Sequence, residues 1–185
     1  MKNEMDNQQV TDLELGWLAG IIDGEGSISM RVWPYKNKIH FVVSIAVCNS
    51  SVELLNKVVN ICSKLNVTWH WTAKPRPKDF LQCWDIETKK ISHCHRILNH
   101  ILPLLTSKYE KAKLLQAFCI RRLGFLSQCD NRFELATKHP YNDDDWAFFR
   151  EFADKYHHHT RKVTSTTIPL GSRSQGLRSA GQAIA

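Results

Sequence analysis

The chain of 185 residues is long enough for one domain with a sizeable hydrophobic core. Its hydrophobic fraction of 43% is typical of a globular protein, and its formal net charge of +7 favours a polyanionic partner. No uncharged apolar run is long enough to span a bilayer, and the polar N-terminal residues do not resemble a signal peptide. We therefore expect no membrane partner and an intracellular location, in the cytosol, the nucleoid or an organelle matrix, rather than secretion.

The first predicted element is a helix that begins near residue 12. Thr11 and Glu14 have the T-x-x-E spacing of a capping box, in which each side chain bonds the backbone N–H of the other residue. Apolar residues then recur at helical spacing as far as Gly24 and Gly26. We expect these glycines to end the helix by taking the left-handed backbone conformation that glycine accepts.

Two features distinguish this helix from an ordinary amphipathic one. Gly16 and Gly20 lie four residues apart in its interior, where each costs about 1 kcal/mol relative to alanine. Together with Ala19 they are predicted to form a smooth stripe that another backbone can approach closely. Asp23 and Glu25 then follow at the C-terminal end, where the helix dipole disfavours carboxylates and a bound Mg²⁺ would neutralise them.

Hydrophobic periodicity predicts the elements that follow. In chain order they are strands at 27–35 and 39–48, a helix ending near 65, strands at 67–73 and 80–88, and helices at 91–102, 107–124 and 143–156. Capping boxes are predicted at Ser50 with Glu53 and at Ser107 with Glu110. Phe80 is assigned to the core of the fourth strand. The first eight elements therefore have the order α-β-β-α-β-β-α-α, which predicts an α+β protein.

The segment at residues 18–26, LAGIIDGEG, resembles the signature of the LAGLIDADG homing endonucleases, with Glu25 at a position where the family has Asp or Glu. The order of the first eight elements is also that of the family's core, so the resemblance covers most of residues 11–162. It implies a curved antiparallel four-stranded sheet that forms a saddle over DNA. The implied division is a polar lead at 1–10, an endonuclease domain at 11–160 and a basic, flexible tail at 161–185.

Members of the family carry one or two copies of this motif, and this chain carries one. No glycine occurs between residues 26 and 124, and the later glycines lack neighbouring acids. A single motif implies a homodimer in which the two motif helices pack on each other about a two-fold axis. The stripe of Gly16, Ala19 and Gly20 is the predicted contact, and it would bring two Glu25 carboxylates together.

The resemblance also implies metal-dependent phosphodiester hydrolysis. Glu25 is the implied direct ligand and the Gly24 carbonyl an additional one, for Mg²⁺ in the cell and for Mn²⁺ or Ca²⁺ in vitro. Asp23 either braces the loop by accepting backbone N–H groups or ligates the metal itself. Asn49 either orients water or starts a turn before the next helix. Lys108 either steadies charge near the scissile phosphate or is an exposed lysine at a helix start.

Outward-facing residues of the sheet are the predicted DNA contacts, because a two-stranded ribbon fits the major groove. Arg31 can bind guanine through two hydrogen bonds, whereas lysines of the hairpin loop are expected to contact phosphate. Beyond the last helix, Arg161 and Lys162 resemble the basic arm with which single-motif members hold the DNA backbone. A merely solvated sheet face is the alternative. The predicted contacts on the sheet and its loop are Ser29, Arg31, Trp33, Lys36, Lys38, His40, Ser44, His70, Thr72 and Lys74.

These expectations define one leading function and two alternatives. The leading function is a site-specific homing endonuclease that makes a staggered double-strand break in a long pseudo-palindromic DNA target. The alternatives on the same fold are a maturase that binds intron RNA during splicing and a catalytically inactive DNA-binding regulator. The intact Glu25 favours the enzyme over the regulator.

Overall fold

The structure is a computed structural model, and it describes residues 9–35, 38–75, 77–78, 80–130, 135 and 138–156. Its helices and strands in chain order are α1 Asp12–Gly24, β1 Gly26–Tyr35, β2 Lys38–Asn49, α2 Val52–Lys64, β3 His70–Lys74, β4 Cys83–Thr88, α3 Ile91–Ile101, α4 Tyr109–Leu126 and α5 Asp143–Tyr156. The predicted α+β class and the order of the first eight elements are confirmed. None of the helices in the described ranges is long and apolar enough to cross a membrane.

The four strands form one antiparallel sheet in the order β1-β2-β4-β3. The long β1–β2 hairpin pairs Ser29 with Ser44, and β4 continues the sheet by pairing Thr88 with Ile45. Alternate strand residues form an inner face that packs into the hydrophobic core with the helices. The buried residues of this inner face include Ile28, Met30, Phe41, Val43, Ile45, Val47 and Ile86. The opposite, outer face of the sheet carries the polar residues that alternate with them.

The predicted capping box at the start of α1 is confirmed. Thr11 N–H donates to Glu14 Oε2 over 2.9 Å, and Glu14 N–H donates to Thr11 Oγ1 over 3.3 Å. Glu14 also forms an ion pair with Lys64 of α2 at 2.7 Å. The prediction of left-handed glycines is wrong, since no glycine among the described residues has a positive φ. Gly26 is required instead for close packing, because a Cβ there would lie 2.6 Å from the carbonyl oxygen of Ile22.

Two strands begin later than the periodicity predicts. β3 starts at His70 because the residues before it complete the end of α2. There Asn66 has a φ of 54°, and the N–H of Val67 bonds back to a helix carbonyl over 3.0 Å. β4 starts at Cys83 because Phe80 belongs to a turn, in which its N–H donates to a preceding carbonyl over 3.0 Å. Phe80 is 61% exposed, so its assignment to the core is wrong.

The capping boxes predicted for α2 and α4 are wrong. α2 is capped by Ser51 rather than by Ser50, and the Ser51 hydroxyl accepts a backbone N–H of the first turn over 3.1 Å. α4 begins at Tyr109 without a side-chain cap. Ser107 does not cap this helix because its backbone N–H and its hydroxyl both bond to Asp23 at the end of α1.

A buried ion pair that the sequence patterns did not predict joins α4 to α5. Arg122 Nη1 lies 3.3 Å from Asp145 Oδ2, and both side chains are buried. Asp145 also accepts the N–H of Asn142 over 3.0 Å, at the start of α5. The guanidinium lies over the ring of Tyr141, which in turn packs 4.7 Å from the ring of Phe41 on β2. These contacts hold α5 against the sheet.

Candidate active site

Glu25 lies at the C-terminal end of α1, where it is the capping residue. Its N–H donates to the Ile21 carbonyl over 2.8 Å, and the residue is exposed. The last turn of α1 contains no basic residue. Across the described ranges, no residue forms a hydrogen bond or ion pair with the Glu25 carboxylate. Because a helix C-terminus disfavours negative charge, this position favours a cation beside the carboxylate.

Asp23 braces the loop before α4, which is one of its two predicted roles. Its Oδ2 accepts the N–H groups of Thr106 over 2.6 Å and Ser107 over 3.2 Å, and its Oδ1 accepts that of Lys108 over 3.0 Å. Partial burial would raise the pKa of Asp23, but these hydrogen bonds outweigh burial and hold the pKa below its ordinary value. Both carboxylate oxygens therefore serve the loop, and the bracing role is confirmed.

Lys108 reaches back from the start of α4 to the end of α1. Its Nζ donates to the carbonyl oxygens of Ile22, over 2.9 Å, and of Asp23. Burial lowers the pKa of Lys108, while the carboxylates of Asp23 and Glu25 act in the opposite direction. The ammonium group thus neutralises exposed carbonyls at the negative end of the helix, and its charge acts on Glu25. Lys108 is not the merely exposed lysine of the alternative reading.

The bracing by Asp23 makes the stability of the fold depend on pH in a defined direction. Folding lowers the pKa of this carboxyl from its ordinary value of 3.8. The ionised carboxylate therefore stabilises the fold fully above pH 3.8, and this stabilisation is lost as the pH falls through the lower pKa of the folded state. We expect the unmodified protein to be more stable than Asp23→Asn at about pH 6, with a difference that shrinks below about pH 4. Urea unfolding of both proteins over this range measures the difference, and a constant gap would contradict the bracing role.

Asn49 is the last residue of β2, and its contacts fit the turn alternative. Its Oδ1 accepts the N–H of Ser51 over 2.9 Å, which starts the turn into α2. The register pairs Gly26 with Val47, so Glu25 and Asn49 lie at the same end of the β1–β2 hairpin. The role of Asn49 in orienting water stays a prediction.

The donor atoms at the end of α1 fit a hard divalent cation. Glu25 offers a carboxylate oxygen, and Gly24, an exposed residue next to it in the chain, offers its backbone carbonyl oxygen. Oxygen donors of this kind suit Mg²⁺ or Ca²⁺ rather than softer metals. In the part of a single chain that the structure describes, no group of three or more His, Cys, Asp or Glu side chains could hold a metal ion.

The exposed side of α1 is smooth and partly apolar. Gly16 and Gly20 lie on it, and a Cβ at either position would meet nothing within 4 Å. Leu13, which is 84% exposed, lies on the same side because it is three residues before Gly16. Ala19 is only 1% exposed and packs in the core of its own subunit, so its predicted place in the contact stripe is wrong. The exposed line is therefore formed by Leu13, Gly16 and Gly20.

The outer face of the sheet presents most of the predicted DNA contacts. The exposed ones are Arg31, Trp33, His70 and Thr72, and the partly exposed ones are Ser29, His40 and Lys74. Ser44 is only 2% exposed, and its hydroxyl lies 2.7 Å from that of Ser29, so the direct contact expected of Ser44 is wrong. Lys36, the side chain of Lys38, Arg161 and Lys162 lie outside the described residues.

Two acids on the outer face were not predicted as site residues. Asp85 and Glu87 lie on β4, and their alternation with buried residues of that strand is the signal that could have identified them. Asp85 pairs with Lys74 at 2.9 Å. Glu87 pairs with Arg31 at 3.1 Å and with Lys89 at 2.7 Å. The outer face therefore carries paired charges of both signs rather than a uniformly basic surface.

The architecture is the fold of the LAGLIDADG homing endonucleases, as the motif implied. The homing endonuclease I-CvuI, in complex with its target in the presence of calcium, is 20% identical with a TM-score of 0.52 over 77% of this chain and 79% of that chain. The LAGLIDADG homing endonuclease I-GzeII, in complex with a DNA target, is 13% identical with a TM-score of 0.51 over 84% of this chain. This chain covers 54% of the length of I-GzeII. No family model and no curated protein matches the sequence.

Proposed function

We propose that this chain is a site-specific homing endonuclease that hydrolyses phosphodiester bonds in both strands of a DNA target. The observation that carries the proposal is the exposed Glu25 carboxylate at the end of α1, in a fold whose outer sheet face presents polar and basic side chains. The similarity of the fold to I-CvuI and I-GzeII, both in complex with their targets, agrees with a DNA substrate. The net charge of +7 favours the same partner.

The active form in this proposal is a homodimer. The exposed line of Leu13, Gly16 and Gly20 supports it, because small residues allow helix axes to approach to about 8 Å. A two-fold axis between two such helices would bring two Glu25 carboxylates together at the base of the saddle. Each carboxylate would then serve one DNA strand, and the product would be a staggered break in a long pseudo-palindromic site.

Residues around the end of α1 have distinct roles in the proposed chemistry. Glu25 and the Gly24 carbonyl would hold a divalent cation, Mg²⁺ in the cell, and Mn²⁺ or Ca²⁺ can occupy such an oxygen site in vitro. When bound, the cation neutralises charge on the attacking and leaving oxygens. Asp23 and Lys108 hold the end of α1 against the loop before α4, and the Lys108 charge acts near the scissile phosphate. Asn49 is the candidate for orienting water.

Recognition in this proposal takes place on the outer face of the sheet. Arg31 reads a base edge, because a guanidinium group can bind guanine O6 and N7 together. The other proposed contacts on the sheet are Ser29, Trp33, His40, His70, Thr72 and Lys74. Basic residues of the hairpin loop and of the C-terminal tail would bind phosphate, which positions the protein without reading sequence. These residues are Lys36, Lys38, Arg161 and Lys162.

A digest of a randomised library of DNA duplexes tests the proposed function. We expect cut products with Mg²⁺ or Mn²⁺, none with EDTA, and a single pseudo-palindromic consensus when the cut ends are sequenced. DNA binding without a cut product under all of these conditions would contradict the enzyme and favour the regulator. Binding to a structured intron RNA, without affinity for duplex DNA, would favour the maturase.

A further inference from the structure

Glu87 occupies the centre of a polar network on the outer face of the sheet. It lies on β4, which is flanked on both sides by neighbouring strands. Its Oε1 accepts a hydrogen bond from Arg31 Nη2 over 3.1 Å, and its Oε2 lies 2.7 Å from Lys89 Nζ. The two carboxylate oxygens therefore hold two different cations, one from β1 and one from the end of β4.

The buried hydroxyl of Ser44 also contacts this carboxylate. Burial would raise the pKa of Glu87, but hydrogen bonds from Lys89 and Ser44 and the charge of Arg31 outweigh it and keep the pKa below its ordinary value. The hydroxyl of Ser44 is itself 2.7 Å from that of Ser29. This chain of contacts explains why Ser44 is buried on a face that otherwise presents its side chains outward. Both carboxylate oxygens of Glu87 are thus held by neighbouring side chains.

The side chain of Glu87 lies deeper in the outer face of the sheet than the side chain of Arg31. The side chain of Glu87 is 16% exposed, whereas that of Arg31 is 58% exposed. The guanidinium is held at Nη2, and its other nitrogen atoms make no hydrogen bond with any residue in the described ranges. Arg31 therefore presents unused donors in a planar fork toward the space in front of the sheet.

A carboxylate in this position is unfavourable for nonspecific binding to DNA. It repels phosphate and reduces the net positive charge of the face that would meet the duplex. An isolated surface ion pair also stabilises a fold by only about 0–1 kcal/mol. The network is better explained by a role in orienting Arg31, because a held guanidinium loses less conformational entropy when it binds a base edge.

We propose that Glu87 is a positioning residue that fixes the Arg31 guanidinium for the recognition of one guanine in each half-site of the DNA target. The inference rests on the proposed function of the chain as a DNA endonuclease. A planar fork at a fixed angle can bind guanine O6 and N7 together, and the other bases do not offer two adjacent acceptors in the major groove. Lys74, paired with Asp85 on the same face, is a point charge and lacks this geometry.

Base preferences measured by selection from a randomised duplex library with Ca²⁺ test the proposal. We expect the unmodified protein to prefer guanine at one position of each half-site, and Glu87→Gln to lose about tenfold of that preference. Arg31→Ala should lose preference at the same position, and the double variant should lose no more than Arg31→Ala alone. Asp85→Asn removes an equal charge from the same face and serves as the control, since it should leave this guanine preference unchanged.

The outcomes separate this inference from the proposed function. If the unmodified protein selects DNA but Glu87→Gln keeps the guanine preference, or loses preference at a position that Arg31→Ala does not affect, the inference is overturned. If the unmodified protein selects no DNA at all, the proposed function fails and the inference fails with it. Should Glu87→Gln not fold, Glu87→Asp supplies the test, because it keeps the charge but shortens the side chain that holds Arg31, and it should lower the guanine preference at the position that Arg31→Ala affects.

Discussion

Replacement of Glu25 by glutamine should abolish DNA cleavage and leave DNA binding intact. Glutamine keeps the size of the side chain but removes the negative charge that would hold the divalent cation at the end of α1. A divalent cation that binds a phosphodiester stabilises the transition state of hydrolysis by several kcal/mol. Because Glu25→Gln would lose this cation, we expect the cleavage rate to fall by about 1000-fold or more. Single-turnover cleavage of the selected duplex, with binding measured in parallel in Ca²⁺, gives both quantities.

The matched control is Glu110→Gln, which neutralises another exposed acid in the first turn of α4. Its cleavage rate should stay within about twofold of the unmodified protein, because no hydrogen bond or ion pair among the described residues joins the Glu110 side chain to Asp23, Glu25 or Lys108. Full cleavage by Glu25→Gln would show that this carboxylate is not a required ligand. Loss of both binding and cleavage in Glu25→Gln, together with a lower unfolding temperature, would indicate a structural role instead.

Replacement of Gly20 by leucine should separate folding of the subunit from its association. A Cβ at Gly20 meets nothing within 4 Å, so the isolated subunit has room for the side chain. The substitution should even stabilise α1 by up to about 1 kcal/mol, since leucine is a better helix former than glycine. In a helix pair the two leucines would collide across the axis, and overpacking of about 1–3 kcal/mol per copy should weaken the dimer by about 30-fold or more.

Gly124→Leu is the matched control for the dimer prediction, because Gly124 of α4 is also exposed and its Cβ would also meet nothing within 4 Å. Sedimentation velocity with the DNA target should give a dimer for Gly124→Leu and a lower mass for Gly20→Leu. Circular dichroism should show both variants folded. A Gly20→Leu variant that stays dimeric and cleaves DNA would place the interface elsewhere on the subunit.

Local signals made the start of α1 and the role of Asp23 predictable from the sequence. The capping box of Thr11 and Glu14 depends only on residues three apart, and the structure confirms both of its hydrogen bonds. The bracing by Asp23 was predictable for a similar reason, because a carboxylate at a helix end readily accepts backbone N–H groups of a loop that lies against it. The role of Lys108 in bonding the carbonyls of Ile22 and Asp23 required the fold, since those residues are far apart in the chain.

Roles that depend on distant neighbours could not be read from periodicity. Ala19 is as small as its glycine neighbours, but the rotation of α1 against the core decides that Ala19 is buried. Ser44 lies at a position of β2 that alternates toward the outer face of the sheet. Its contacts with Ser29 and Glu87 nevertheless leave it buried. The alternation of residues along β4 could place Glu87 on the outer face of the sheet. Only the order of the strands in the sheet brings Glu87 close to Arg31 on β1.

Anomalous diffraction from a crystal of the protein with its DNA duplex and Mn²⁺ tests the central claim most directly. The claim is that two subunits pair through α1 and hold divalent cations at Glu25 beside the DNA strands. It predicts two chains on one duplex and manganese peaks adjacent to the Glu25 carboxylates of both chains. A single chain on the duplex, or manganese that lies away from position 25 in both chains, would contradict it.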